Sequence, residues 1–220
     1  MKASRYFISF ARIHGKKGQD SCGSSRFLGK GFDIRKISFR GTSRKLTRKA
    51  LGTETVLVDI VEYDPPGQFD YIFISSGSVS LFTDMQQCKK ILYKMKTLLK
   101  QDGKFVFAVD TVANRAPDDT EYQTFVSVKT GEGYDLLLKG KNCYDEATHT
   151  QFSPSIYELD DGTALLRSEP MDFQTHLYEL GELEPYLFEI GFRSVAVYSS
   201  FEKEIAEDNR VEMFLYECRL

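Results

Sequence analysis

Two short apolar segments on either side of an amphipathic helix constrain the fold of this chain more than any other feature. Residues 71–74 and 105–109 are apolar at consecutive positions, which is typical of strands in a parallel sheet covered on both faces. Between them, seven apolar side chains fall on one face of a predicted helix, opposite a row of lysines. These are Met85, Cys88, Ile91, Leu92, Met95, Leu98 and Leu99. The order strand, helix, strand with short connections indicates a doubly wound α/β sheet.

The ends of this helix carry recognisable signals. Thr83 and Gln86 have the spacing of a capping box at the N-terminus. Gly103 is available for a left-handed residue at the C-terminus. We therefore expect Thr83 to cap the helix and Gly103 to end it.

The segments before and after this unit extend the α/β pattern. Apolar spacing predicts an amphipathic helix over residues 4–14 and a buried strand at 55–58. Near the C-terminus, the pattern predicts a helix over 179–190, followed by strands at 195–198 and 213–216.

Residues 122–173 have a different character. They contain short strand-like segments separated by turn residues, and Asp160, Asp161 and Gly162 predict a tight hairpin. The predicted fold class is α/β, with a doubly wound, mostly parallel Rossmann-like sheet, a closing antiparallel strand pair and a small inserted antiparallel β layer. Residues 1–121 and 174–220 would form the core, and residues 122–173 the inserted subdomain.

Composition excludes several classes of protein. With 41% hydrophobic and 13% aromatic residues, the chain lies far from the range of disordered proteins. Its apolar runs are too short to cross a membrane, and its first ten residues contain no cleavable apolar segment. The four cysteines and three histidines are widely dispersed, without the spacing of a zinc site or a disulfide framework. We expect a cytoplasmic protein without metal, in which cysteine and histidine occupy core or surface positions.

Charge is distributed unevenly along the chain. The first 50 residues contain 14 Lys or Arg and two acids, whereas the remainder contains 15 basic and 30 acidic residues. Such asymmetry can mark a nucleic-acid-binding arm. However, Phe39 is the only aromatic residue between positions 33 and 62, so base stacking has little support.

Polar residues follow three of the predicted strands. Asp59 and Ile60 follow the first, Ser75 and Ser76 the second, and Asp110 the third. Ligands of open parallel sheets bind beyond the carboxyl ends of the strands, which makes these positions candidates for a site. Taken singly, each is also an ordinary turn residue.

Three longer segments together resemble the class I S-adenosylmethionine-dependent methyltransferase family. Residues 69–78 carry the family's strand that begins Phe-Asp, and residues 98–107 carry its Leu-Leu-Lys-x-x-Gly turn. Residues 183–192 are similar to the helix and Gly-Phe turn that precede the family's closing hairpin. An antiparallel insertion is common among its small-molecule members. The resemblance covers most of residues 51–220 and implies S-adenosylmethionine as cofactor.

The resemblance also implies a set of cofactor-binding residues. In the family, an acid and a glycine-rich loop hold the cofactor, and this chain offers Asp20, Cys22, Gly23, Ser24 and Ser25. The loop departs from the family pattern: one residue is missing before the cysteine, and a serine stands in place of the last glycine. The following strand, at 37–43, lacks the expected ribose-binding acid. The later positions Asp59, Ile60, Ser75 and Ser76 complete the set.

The predicted function is therefore S-adenosylmethionine-dependent methyl transfer to a small-molecule acceptor, by a monomer or homodimer. Catalysis would depend mainly on proximity, and no catalytic residue is assigned. The alternative is a catalytically decayed, methyltransferase-like binding or scaffold protein. Nucleic-acid binding ranks third, and a serine hydrolase is disfavoured because residues 75–80 lack a Gly-x-Ser-x-Gly elbow.

Overall fold

The computed structural model describes residues 59–220 and the backbone of residues 6–9. The strands are β1 (Tyr6–Ser9), β2 (Phe69–Ile74), β3 (Leu99–Asp110), β4 (Gln123–Lys129), β5 (Asp135–Gly140), β6 (Cys143–Asp145), β7 (Thr150–Phe152), β8 (Ser155–Asp160), β9 (Leu165–Met171), β10 (Gln174–His176), β11 (Ser194–Tyr198) and β12 (Met213–Arg219). The α-helices in this part of the chain are α1 (Met85–Leu98) and α2 (Glu184–Glu189).

Five strands form the central sheet, in the order β1-β2-β3-β12-β11. Strands β1, β2 and β3 are parallel, so their carboxyl ends meet at one edge of the sheet. Strand β12 is antiparallel to both β3 and β11, which forms the predicted antiparallel pair at the end of the chain. Two of the four pairings are therefore parallel and two antiparallel, so within the described residues the sheet is mixed rather than mostly parallel.

Strand β1 replaces part of a predicted helix. Tyr6–Ser9 pairs with β2 from Tyr71 to Ile74, so the helix predicted over residues 4–14 is wrong at these four positions. Aromatic and β-branched residues favour the extended backbone, and the edge of β2 provides a complete parallel ladder. Helical spacing of apolar residues does not distinguish a helix from so short a strand.

Helix α1 packs its predicted apolar face against the sheet. Cys88, Leu92 and Met95 are fully buried within the main core. Its cap is Asp84 rather than Thr83: the Asp84 carboxylate accepts hydrogen bonds from the two amides that follow Met85. A carboxylate can reach these free amides from the position directly before the helix, where it also interacts favourably with the helix dipole.

The helix ends without the predicted left-handed glycine. Leu99 is already extended, so β3 begins directly at the end of α1. Gly103 lies within β3, and a side chain there would come within 2.8 Å of the Leu99 Cδ1 atom. Glycine is needed here because there is no room for a side chain, and not because the backbone has a positive φ.

The residues between β3 and α2 form two antiparallel sheets. One has four strands in the order β4-β5-β8-β9, and the other has three in the order β10-β7-β6. The predicted hairpin joins β8 to β9: Gly162 has a φ of 89°, and the Asp161 carboxylate accepts from the Thr163 and Ala164 amides.

The last helix is shorter than the sequence pattern predicts. Of residues 179–190, only Glu184–Glu189 are α-helical. Gly181, with a φ of 94°, and a hydrogen bond from the Glu182 amide to the Glu179 carbonyl make the preceding residues a turn. Leu183 and Leu187 are nevertheless buried, as the apolar pattern indicates.

The core lies between the central sheet and these helices. Phe105, Phe107, Phe214 and Tyr216 are fully buried there, and the rings of Phe107 and Tyr216 stack with centroids 4.8 Å apart. No helix in the described part of the chain has the length and apolar character needed to cross a bilayer.

Candidate functional site

A tight turn follows β2 at the carboxyl edge of the sheet. Ser76 and Gly77 both have a φ near 60°, and the Ser78 amide and hydroxyl donate to the Ser75 carbonyl at 3.1 and 2.7 Å. The Ser75 hydroxyl oxygen is buried without a hydrogen-bond partner among the described residues. Because a buried hydroxyl usually finds a partner, this atom is a candidate for contact with a ligand.

Asp110, at the end of β3, contacts this turn directly. A Cβ atom added to Gly77 would lie 2.7 Å from Asp110 Oδ2, so the carboxylate packs against the bare Cα. The Asp110 amide donates to Ser80 Oγ at 2.8 Å, and its carbonyl accepts from the Tyr178 amide at 2.9 Å. Burial raises the pKa of the Asp110 carboxyl above its ordinary value, since no described residue donates a hydrogen bond to it.

A histidine–carboxylate pair lies over the same edge. The His176 amide donates to the Ser80 carbonyl at 2.7 Å, which places the end of β10 on the loop that follows β2. His176 Nε2 lies 2.6 Å from Glu182 Oε1, and Glu182 Oε2 accepts from the Glu179 amide at 3.1 Å. This pairing orients the imidazole, the arrangement that proton transfer by histidine requires.

Two aromatic rings surround this histidine. The Tyr178 ring meets the His176 ring edge-on at 4.5 Å, and the His149 ring lies 6.3 Å away in a stacked orientation. Histidines that are 27 residues apart in the sequence are therefore neighbours, because the Leu177 amide donates to the His149 carbonyl at 2.8 Å. The interpretation of His176 as merely a core or surface residue is incomplete, since it is buried and paired with a carboxylate.

Cys88 is buried next to Tyr178, beneath this cluster, and its thiol is not a reactive nucleophile. Its Sγ is 3.4 Å from the Tyr178 hydroxyl, and both side chains are buried. Burial raises the pKa of the Cys88 thiol to about 11, although the hydrogen bond to Tyr178 opposes that shift. A thiol with so high a pKa remains protonated at neutral pH, which makes this contact structural.

The residues predicted from the sequence fall into three groups. Ser75 and Ser76 lie in the turn described above. Asp59 and Ile60 begin a separate turn, in which Asp59 Oδ1 accepts from the Val61 amide at 2.9 Å and Ile60 packs against the main core. The predicted loop lies outside the described residues, as do the strands predicted at 55–58 and 37–43. That loop comprises Asp20, Cys22, Gly23, Ser24 and Ser25.

Gly77, His176 and Glu182 were not predicted as site residues, whereas Asp110 was among the strand-end positions considered as candidates for a site but was not assigned to the cofactor. Two features of the sequence could have pointed to these residues: the Ser-Ser-Gly-Ser sequence around Gly77, and a histidine shortly before the last helix. No three described His, Cys, Asp or Glu side chains are grouped closely enough to hold a metal ion.

Comparison with known proteins shows what this architecture is similar to. No family model matches the chain, and no curated protein matches it by sequence. Among solved structures, an S-adenosylmethionine-dependent methyltransferase from Clostridium acetobutylicum is 15% identical with a TM-score of 0.65, over 86% of this chain and 73% of that one. The CcbJ methyltransferase from Streptomyces caelestis is 16% identical with a TM-score of 0.61, over 86% and 77%.

A third structure extends the similarity over nearly the whole chain. The sugar N-methyltransferase KedS8 from Streptoalloteichus is 14% identical with a TM-score of 0.62, over 99% of this chain and 81% of that one. At sequence identities this low, the structural similarity establishes the fold alone. The activity must then be argued from the site. The chain therefore has the Rossmann-like α/β fold of class I S-adenosylmethionine-dependent methyltransferases, as its sequence resemblance predicted.

Proposed function

We propose that this protein transfers a methyl group from S-adenosylmethionine to a small-molecule acceptor at the carboxyl edge of its central sheet. The observation that carries the proposal is the cluster formed there by Ser75, Gly77, Asp110, His176 and Glu182, in the fold of such enzymes. Chain segments far apart in sequence converge on the edge where ligands of open α/β sheets bind.

The described residues fit the proposed cofactor. S-adenosylmethionine, when bound, supplies an electrophilic methyl group together with ammonium, carboxylate and hydroxyl groups that need partners. The Ser75 hydroxyl is buried without a partner, and the missing side chain of Gly77 permits close approach to the backbone. The exposed Asp59 carboxylate has a second oxygen available to accept from ammonium or hydroxyl groups.

The proposed binding residues extend into the part of the chain before β2. We assign cofactor contacts to Ser75 and Ser76 in one turn and to Asp59 and Ile60 in the other. The loop residues Asp20, Cys22, Gly23, Ser24 and Ser25 are proposed by resemblance to the family pattern. Strand β1, which precedes that loop in the sequence, has its carboxyl end at the same edge of the sheet as β2 and β3.

The chain's own chemistry would be positioning and proton transfer. An amine or hydroxyl acceptor must lose a proton when it gains a methyl group, and His176 is an oriented base on the strand that hydrogen-bonds to the loop after β2. Glu182 holds its Nε2, so the proton would be accepted at Nδ1, the other ring nitrogen. Asp110 is suited to hold a cationic amine, since no described group neutralises it.

The first acceptor to assay is an amino sugar. The KedS8 structure is that of a sugar N-methyltransferase, and the half-buried Asp110 carboxylate, in the same cluster as an oriented histidine, suits an amine. A cytoplasmic location stays part of the proposal, because the four cysteines lack the spacing of a disulfide framework.

Isothermal titration with S-adenosylmethionine and S-adenosylhomocysteine tests this function. We expect saturable binding that Ser75→Ala and Asp59→Asn weaken. The matched control is Asp102→Asn, because Asp102 is an exposed acid near the start of β3, at the opposite end of the strand from Asp110. Absence of binding of either compound at millimolar concentration would contradict the proposal.

A binding protein without catalysis is the second candidate. It is favoured by the departures in the predicted loop and by the absence of an acid in residues 37–43. Cofactor binding without methyl transfer to any amine or hydroxyl acceptor would support it over the enzyme. Transfer of a radiolabelled methyl group to an acceptor would exclude it.

A further inference from the structure

The charged side chains of helix α1 are all positive. The helix carries Lys89, Lys90, Lys94 and Lys96 and contains neither aspartate nor glutamate. Lys90 and Lys94 are one turn apart, a spacing at which like charges repel each other. Residues 51–220 contain 15 basic and 30 acidic residues, so this helix departs from the charge of the chain around it.

The first three of these lysines line a groove beside α2. The groove has a volume of about 550 Å³, and Tyr93 on α1 and Tyr186 on α2 provide aromatic walls. Its lining follows α1 from residue 86 to residue 97, which corresponds to about 16 Å along the helix axis. Sites for small molecules usually have volumes between roughly 300 and 1,000 Å³, so the groove is large enough for one such ligand.

Contacts between the two helices orient part of this groove. The Tyr186 hydroxyl donates to the Lys89 carbonyl at 2.8 Å, and Lys89 Nζ lies 4.8 Å from the centre of the Tyr186 ring. The face of an aromatic ring attracts a cation, so this ammonium group is positioned before any ligand binds. Tyr93, by contrast, is 52% exposed, which leaves its ring available for stacking.

No described carboxylate neutralises the lysines of the groove. Lys100, in the next element, pairs with Asp70 at 2.8 Å, whereas the three groove lysines have no carboxylate at ion-pair distance among the described residues. Glu189 contributes, after burial, to raising the pKa of the Tyr186 hydroxyl, yet it does not line the groove. Closely spaced cations without a counter-charge create a positive potential that attracts anions.

We propose that this groove binds a nucleotide, with its base against Tyr93 and its phosphate groups on Lys90 and Lys94. Lysine ammonium groups are common ligands of phosphate, and a tyrosine ring stacks on any base because every base has a flat face. An acidic peptide would match the lysines alone, whereas a nucleotide matches both the lysines and the exposed ring. The groove therefore favours a phosphorylated ligand with a planar ring.

The groove is separate from the cluster at the carboxyl edge of the sheet. None of the residues of that cluster lines it. One end of the groove, at Val61, adjoins the turn that begins at Asp59, a proposed cofactor contact. The test must therefore distinguish a nucleotide in the groove from one whose adenosine part occupies the cofactor contacts.

Isothermal titration with ADP, with and without saturating S-adenosylhomocysteine, tests the proposal. We expect saturable binding of ADP in both conditions, and binding of adenosine at least about tenfold weaker because it lacks phosphate groups. Lys90→Gln and Lys94→Gln should each raise the ADP dissociation constant about three- to tenfold, and Tyr93→Leu about fivefold or more. Asp59→Asn should leave it unchanged.

Two variants outside the groove provide matched controls. Lys96→Gln removes the same charge from the same helix, and Phe188→Leu removes an exposed ring from α2, but neither residue lines the groove. Neither should alter the affinity for ADP. Circular dichroism and thermal unfolding would verify that all variants are folded.

Four results would overturn the proposal. They are no binding of ADP at millimolar concentration, equal weakening by Lys96→Gln and Lys90→Gln, displacement of ADP by S-adenosylhomocysteine, and binding of an oligoglutamate peptide in place of ADP. The second would indicate unspecific attraction of anions, the third would assign the nucleotide to the cofactor contacts, and the fourth would assign the groove to an acidic peptide. Binding of S-adenosylmethionine is a separate measurement, so failure of this proposal would not affect the proposed function.

Discussion

The Cα atom of Gly77 packs against the carboxylate of Asp110, with no room between them for a side chain. This contact joins the turn after β2 to the end of β3, two parallel strands whose carboxyl ends form the candidate site. Hydrogen bonds from Asp110 to Ser80 Oγ and from Tyr178 to the Asp110 carbonyl link the same point to the chain that carries His176. Changes at this point should therefore affect stability and ligand binding together.

Gly77→Ala should destabilise the protein by about 1–3 kcal/mol, because the new methyl group meets Asp110 and the left-handed φ of 60° strains any residue with a Cβ. Urea unfolding measures this change. Gly131→Ala is the matched control, since nothing lies within 4 Å of its added Cβ and its φ is not in the left-handed range. Equal effects of the two substitutions would show that the contact with Asp110 has no special role.

Asp110→Asn should stabilise the folded protein at neutral pH by about 0.5–1 kcal/mol while weakening acceptor binding. Burial raises the pKa of Asp110, so the folded state binds its proton more tightly than the unfolded state. The contribution of this group to stability therefore declines as pH rises from about 3.8 through the raised pKa, and the neutral amide removes that cost. Urea unfolding at pH 4 and 7 measures it, with Asp102→Asn as the exposed control.

His176→Asn should lower kcat for methyl transfer about 100-fold without changing affinity for S-adenosylmethionine. The reason is loss of the proton acceptor whose orientation Glu182 maintains through a 2.6 Å contact. Glu182→Gln should have a smaller effect and should move the pH dependence of kcat. Glu179→Gln is the control, because only the Glu179 backbone amide takes part in this network. An unchanged pH–rate profile in both site variants would exclude a role for this pair in proton transfer.

Glu217 should make stability depend on pH in acid. Burial alone would raise the pKa of this carboxyl, but hydrogen bonds from Lys203, Lys104 and Arg219 lower it to about 2. An acid with a lowered folded-state pKa contributes stability above its unfolded value, here about 4.5, and loses it as pH falls toward 2. We expect the free energy of unfolding to fall over this interval.

The substitution Glu217→Gln isolates that contribution. It should cost about 1–2 kcal/mol at pH 7, since three cations lose a common partner, and the difference from the unmodified protein should disappear by about pH 2. Glu202→Gln on the neighbouring exposed loop should have no measurable effect at either pH. A penalty for Glu217→Gln that persists unchanged at pH 2 would mean that packing, not charge, is responsible.

Much of the fold could be predicted from local patterns. The strands at β2, β3, β11 and β12 and the buried face of α1 follow directly from runs and periodicities of apolar residues. Element ends were less predictable: Asp84 caps α1 in place of Thr83, and the last helix covers only Glu184–Glu189. Several residues near such an end can provide the needed hydrogen bond, and the surrounding structure decides which one does.

The sequence by itself determined the α/β pattern, the resemblance to a methyltransferase family and the serine turn after β2, because burial and turn preferences act over a few residues. Only the tertiary structure decided that Tyr6–Ser9 pairs as a strand with β2, and that Gly77, Asp110, His176 and Glu182 share one edge of the sheet. These contacts join positions up to about one hundred residues apart in the sequence. Their formation depends on strand order and on packing of the whole sheet, which no local pattern encodes.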